Sequence, residues 1–225
     1  MNQLLPQVSI AIGSGQGEIA GAMKIFLFMT LLSVGPAILL TMTSFTRIVI
    51  VLSFLKQALG TQQSPPNQVV IGISLFLTLF VMSPVIKQIN ENAYQPYMED
   101  KISSDAALEA ASMPLKKFMY QQTRKTDLDL MLKLGAESVP EKLNDLSLKI
   151  LIPSFVLSEL KTAFEIGFLI YLPFVLIDMV VSMILLTMGM MVLPPVIISL
   201  PFKLMLFVLV DGWNLVVGSL VGSFK

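Results

Sequence analysis

MVVSMILLTMGMMVLPPVIISLPF, Met179 to Phe202, is a run of 24 residues without a charge, interrupted by Gly189, Pro194, Pro195 and Pro201. About 20 apolar residues suffice to cross a bilayer, so a stretch this long belongs in lipid or wholly buried in an assembly. Plain membrane anchors are uninterrupted helices. A broken helix in apolar surroundings leaves backbone N–H and C=O groups unpaired, which is tolerable only where protein or a watery cavity covers them. Met188, Gly189, Met190 and Met191 stand at the centre of the break. Flexible thioethers at a bend fit a deformable constriction, and they equally fit gap-filling in a static core.

The rest of the composition agrees with an apolar setting. The chain is 55% hydrophobic and 13% charged, with a mean hydropathy of +0.79. Its net charge is zero and its basic residues are dispersed, so nothing points to nucleic acid. Cysteine and histidine are both absent. That removes thiolate metal sites, disulfides, the commonest metal ligand and the commonest proton shuttle. Hydrolase, oxidoreductase and metalloenzyme chemistry is therefore disfavoured, and the expectation is a membrane protein that is not an enzyme and has no cofactor.

Charge placement divides the chain. Lys87 to Lys149 holds 19 of the 30 charged residues. The pattern predicts an all-α, membrane-associated fold: an N-terminal segment (1–24), a first hydrophobic hairpin (25–86), a polar helical insert (87–149) and a second hydrophobic block (150–225) with broken helices. In the first hairpin, Ile25 to Thr46 is 22 uncharged residues, about 33 Å as helix, with a kink expected at Gly35-Pro36. Arg47 and Lys56 bracket a short apolar stretch. Gly60 to Asn67 reads as a turn, and Val69 to Ile86 returns. Two positive charges without an acid in the connecting region place Arg47 and Lys56 on the cytoplasmic side and the insert on the opposite one.

Within the insert, Ser104 or Asp105 is read as capping a helix that carries Leu108 and Ala111. Pro114 suits the first turn of another helix, bearing Leu115, Phe118 and Met119. Thr126 is read as capping Asp127 to Leu134, with Gly135 as the stop. In the second block, Glu159, Lys161 and Glu165 interrupt an apolar stretch. Lys161 and Glu165 share a helix face four residues apart. Four readings are open for this cluster: an interfacial position in water, a local pair, pairing with another subunit, or an ion pathway. Charges at membrane depth cost about 2.5–3.5 kcal/mol each, so unpaired exposure to lipid is disfavoured.

PSFVLSELKTAFEIGF, Pro153 to Phe168, closely resembles a signature of the FliP/SctR family of flagellar and virulence type III secretion proteins. TSFTRIVIVLSFLKQALGTQQSPPNQV (Thr43 to Val69), SPVI (Ser83 to Ile86), AYQPY (Ala93 to Tyr97) and LPFKLMLFVLVDGW (Leu200 to Trp213) are similar to it as well. The resemblance covers almost everything after residue 25, and TSFTR with the uninterrupted last block looks like the flagellar branch. It implies a core subunit of an export gate in the bacterial inner membrane, within the flagellar basal body. Several copies would assemble helically, in a ring-like pore complex, with FliQ and FliR, FlhB wrapping the entrance, FlhA alongside and FliO assisting assembly. The cargo would be unfolded flagellar subunits, and the complex would reach periplasmic height.

The family often carries three methionines after the glycine, forming a gasket around the closed pore. Here that run is Met190, Met191 and Val192, with Gly189, Pro194 and Pro195 as the implied gate hinge. Met1 to Gly21 lacks the basic start and compact apolar core of a signal peptide, so the expectation is a mature or trimmed form, or a branch that dispenses with the signal. Two other classes remain: a secondary transporter, against which the two hydrophobic blocks show no internal repeat, and a scaffold with no channel role.

Overall fold

The computed structural model describes residues 16–61, 64–136, 143–190 and 193–224, all helix, turn or bend with no strand among them. The chain divides into two units, Met1–Ile38 and Leu39–Lys225. The first consists, where described, of helix α1 (Gln16–Met42), which runs on past the division. In it the Thr30 and Ser33 hydroxyls donate to the carbonyls of Phe26 and Met29, at 2.8 and 3.0 Å. These bonds keep hydroxyls satisfied inside an apolar helix.

The expected kink at Gly35-Pro36 is not where the helix ends. Pro36 lies inside α1, and the break comes at Thr43-Ser44, where Gly35–Met42 turns by 74° into α2 (Phe45–Ala58). Carbonyls orphaned at the end of α1 are met by side chains. Thr43 donates to Leu39, and Thr46 donates to Leu40 at 2.5 Å. Hydroxyls replace the missing helical partners at the corner.

α3 (Asn67–Ile89) continues through a π-turn (Asn90–Tyr94) into α4 (Gln95–Met98). The insert then supplies α5 (Ser104–Gln122) and α6 (Lys125–Gly135). Several expectations need correction here. Pro114 does not open a second helix but lies inside α5, because Pro114, Phe118 and Met119 are all buried and their packing outweighs the lost bond. The α5 cap is Ser103, whose Oγ accepts from the Ala106 N–H at 3.3 Å. In α6 the cap is Arg124 rather than Thr126, and the left-handed stop falls on Ala136, one residue past Gly135.

The spine of the second unit is α7 (Leu148–Thr187), 40 residues that continue through Pro153 and Pro173. At 1.5 Å per residue it is about 60 Å long, twice the hydrocarbon thickness of a bilayer. α2, α5 and α6 pack along α7, and α3 packs on α2 and α5. α8 (Pro195–Leu209) folds back against α7, and α9 (Gly212–Gly222) follows after a 66° bend. α2 approaches α7 closely at Gly167, where an added Cβ would fall 2.6 Å from the Phe54 ring. Only glycine fits there without moving an aromatic side chain.

Two buried clusters result. One joins α2, α7, Phe207 and Leu220. The other joins Met82 and Val85 of α3, Phe118 and Met119 of α5, Leu132 of α6 and the start of α7 from Ile150 to Phe155. α7 and the helix Asn67–Met98 are each long and apolar enough to cross a membrane, and each of the two bent pairs adds a further candidate.

Candidate functional site

Three polar nodes fasten other elements to α7. At the first, Arg47 of α2 meets Glu159. Both are buried, at 2% and 0% exposure. Arg47 Nε donates to one Glu159 oxygen at 2.9 Å and Nη2 donates to the other. Nη2 also reaches the Gln122 side-chain oxygen at 3.2 Å, and Nη1 donates to the Ser223 carbonyl and hydroxyl, both at 3.0 Å. A guanidinium has five N–H donors, and this geometry gives each one an acceptor. The Phe224 ring lies over the guanidinium carbon at 3.9 Å. A buried charge is tolerable when it is both paired and fully hydrogen-bonded, and Arg47 satisfies both conditions.

At the second node, Lys203 of α8 donates to Asp178 at 2.7 Å and to the Ala58 carbonyl at 3.2 Å. Ser199 donates to the other Asp178 oxygen at 2.5 Å. This ties α8 to α7 and to the end of α2. At the third, the Ser158 hydroxyl donates to Asp127 at 2.6 Å and accepts from the Arg124 backbone N–H at 3.0 Å. Arg124 also pairs with Asp127 at 2.8 Å. Burial acts to raise the Asp127 pKa. The Ser158 and Arg124 hydrogen bonds outweigh it, aided by the charges of Arg124 and Lys161, and hold the carboxyl below its ordinary value of 3.8.

The break after α7 is a formed helix stop. Gly189 has φ +73°, its N–H bonds the Leu186 carbonyl at 3.1 Å, and the Met190 N–H bonds Leu185 at 3.0 Å. That pair of bonds is the Schellman pattern, in which a left-handed residue, normally glycine, closes the helix. Pro194 and Pro195 then start α8, with Pro195 at its first position, where no N–H is needed. Met190 is exposed. Met191 and Val192 lie outside the described residues. Beside the break, between the end of α7 and α8, is a cleft of about 540 Å³ lined wholly by apolar side chains, among them Leu176, Val180, Ile184, Met188 and Phe202.

A family model described as the FliP family matches residues 28–220. The chain belongs to the FliP family. It is 52% identical over 217 residues to the flagellar biosynthetic protein FliP of Bacillus subtilis, an alignment that spans 96% of this chain and 98% of that protein. Against the flagellar biosynthetic protein FliP of Aquifex aeolicus it is 48% identical over 224 residues, spanning 98% of this chain and 92% of that protein. A Buchnera aphidicola relative of the same name is longer: the 50% identical match spans 98% of this chain and 61% of that protein.

In this FliP-family chain Glu159 is paired with Arg47, a partner that none of the four readings of the Glu159, Lys161 and Glu165 cluster named. The two residues are 112 positions apart, which hides the pair from any local reading. Arg47, expected with Lys56 on the cytoplasmic side, reaches the Gln122 side chain of the insert. Lys56 lies nine residues further along α2, about 13 Å away, and donates to Asn67 at 2.8 Å. Lys161 and Glu165 form the local pair expected of their spacing, at 3.8 Å, and are 55% and 60% exposed.

The Asp178–Lys203 and Asp127–Ser158 contacts were not anticipated. One signal was available for the first: lone acids and lone bases scattered through apolar segments, Arg47 and Lys203 against Glu159 and Asp178, nearly balance. Among the described residues, no group of three or more His, Cys, Asp or Glu stands close enough to hold a metal ion.

Proposed function

We propose that this chain is a core subunit of the flagellar type III protein export gate and forms part of the channel through which unfolded flagellar subunits cross the bacterial inner membrane. The observation that carries the reading is identity of about half, over nearly the full length, to relatives named flagellar biosynthetic protein. The outer surface supports it. The second half of α7 and most of α8 and α9 present Phe168, Leu176, Met183, Ile197, Val208 and Leu209 uncovered, an apolar area far larger than a soluble monomer exposes. Neighbouring subunits and lipid are its coverings: further copies of this chain, FliQ and FliR, with FlhB and FlhA adjoining and FliO as an assembly factor.

In this reading Met190, Met191 and Val192 from several copies line the narrowest part of the pore, in the basal body and at periplasmic height. The Gly189 stop and Pro194-Pro195 set the direction in which that loop leaves each helix. The exposed Lys161–Glu165 pair, flanked by the exposed rings of Phe164 and Phe168, faces a neighbouring subunit rather than lipid, since charges facing hydrocarbon are costly. Lys56 marks the cytoplasmic end of α2 and the insert faces the periplasm.

Co-expression with the neighbouring export genes tests the reading. Purification is expected to give a multi-subunit ring-like particle, and deletion of Met190 with Met191 to leave it assembled but conductive to ions. A chain that purifies alone or as a dimer with substrate-coupled transport would instead be a secondary transporter. An assembled deletion variant that stays sealed would leave a scaffold without the gasket.

A further inference from the structure

We infer that the corner between α8 and α9 of one copy docks, through Asp211, onto Lys56 in the hairpin cavity of the next copy. The inference rests on the reading that several copies of this chain assemble, and it adds which faces meet. Outside 87–149 the described charged side chains pair off within the chain: Arg47 with Glu159, Lys161 with Glu165, and Lys203 with Asp178. Among the described residues there, Lys56 and Asp211 are left without a salt bridge. They have opposite signs.

Asp211 stands at the 66° bend between α8 and α9 with φ +51°, and its N–H bonds the Val208 carbonyl at 3.1 Å. Glycine takes that left-handed conformation without a Cβ penalty; the chain places a charge there instead. The carboxylate does not cap α9, and among the described residues its one hydrogen bond comes from the Asn214 side chain, at 3.2 Å. Asp211 is exposed, and so are Leu209, Val210, Trp213 and Leu215 around it. A carboxylate on so apolar a corner is costly to leave facing hydrocarbon without a cation.

Lys56 is half-buried and lines a cavity of about 440 Å³ with Ser53, Gln57, Thr61, Val70 and Val196. No acid borders that cavity, and the sequence from 19 to 90 contains none, so the hairpin cannot supply a counter-charge itself. The ammonium donates to Asn67, which leaves its other N–H groups for an incoming acceptor. Opposite charges at two different places on one chain make the contact head-to-tail. Each copy inserts Asp211 and receives at Lys56, so the contact propagates along a ring or helix instead of closing a two-fold dimer.

The chain has no cysteine, so crosslinking tests this in the complex purified with the neighbouring export subunits. Two differently tagged versions, one Lys56→Cys and the other Asp211→Cys, are co-expressed and treated with a short bifunctional thiol reagent. A crosslink joining the two tags is expected, and none between copies carrying the same substitution. Asp211→Asn keeps a residue tolerant of the left-handed backbone. Loss of its charge is expected to lower the yield of complex about tenfold, and adding Lys56→Gln to lower it no further. An assembled complex without the mixed crosslink, a crosslink between like variants, or an undiminished yield in Asp211→Asn would each overturn the contact and leave the export-gate reading standing. A chain that stays single would overturn both.

Discussion

The two parts of α7, 148–163 and 164–187, are both mainly apolar, the second more so, and have opposite surroundings. From Leu148 to Ala163, seven side chains are buried, including Ile150, Leu151, Phe155 and Glu159, under a sheath of α2, α5 and α6. From Phe164 onward, the buried residues thin to Gly167, Phe174, Val181 and Leu185, while Phe168, Leu169, Leu176 and Met183 stand exposed. A helix of about 60 Å cannot lie upright within a hydrocarbon slab of about 30 Å. The polar insert explains the difference: it covers the first half with protein, so the first half can hold a buried ion pair. The second half is left for lipid or neighbouring subunits.

The sharpest way to break this contrast is to remove the fully buried carboxylate that the sheathed half holds. Glu159→Ala strands the buried Arg47 and is expected to cost about 3–5 kcal/mol, read as a collapse in thermal stability or in the yield of folded chain. Replacing both partners by methionine should recover most of it, since a pair of apolar side chains leaves no orphaned charge. A Glu159→Ala chain as stable as the parent would mean that the first half is not a sealed interior.

A smaller effect concerns how the insert holds on. The Asp127 carboxyl has its pKa lowered in the folded chain, so its contribution is fully present above the ordinary value of 3.8 and is lost as pH falls through the lower folded value. Exchange of the α6 amides should therefore stay slow down to pH 3.8 and accelerate below it. Asp127→Asn should abolish that acid step and loosen α6 at neutral pH, by roughly 1 kcal/mol for a charge-assisted bond at a partly exposed site. Loosening that sets in well above pH 3.8 in the parent chain would reverse the sign and refute the assignment.

The smallest expected effect is the most diagnostic. Phe168→Ala, in the exposed half, should change the stability of the isolated chain by no more than about 0.5 kcal/mol, whereas Phe155→Ala, in the sheathed half, should cost about 3–5 kcal/mol. The same Phe168 variant should lower the yield of the assembled complex. Equal costs for the two phenylalanines in the isolated chain would erase the distinction between the halves.

Much of the fold was legible from local signals. The helix ends near Gly60 and Gly189 and the starts at Asn67 and Pro195 are set by residues that admit few backbone conformations, and the structure has them where those residues stand. The misreadings share one cause. Pro114 was expected to open a helix, yet it sits inside a continuous one, because its burial with Phe118 and Met119 overrides a local penalty of a few kcal/mol. Arg47 was assigned from its neighbours in sequence, while its partners Gln122, Glu159 and Ser223 come from three distant segments. Side-chain pairing across such separations has no periodicity to read. The pore-lining role proposed for Met190 comes from the family resemblance, because a methionine beside a helix stop carries no local signal of what it faces.

The Arg47–Glu159 pair also sets a timetable. Arg47 is synthesised 112 residues before its counter-ion, and at about 5–20 residues per second that interval is roughly 6–22 s. Throughout it, α2 carries a guanidinium without the carboxylate that pairs with it in the fold, so the nascent chain cannot settle α2 into its final place until α7 has emerged. Lys203 waits far less, because Asp178 is already present when it appears. Biogenesis therefore has a long open interval at one end of the spine and almost none at the other.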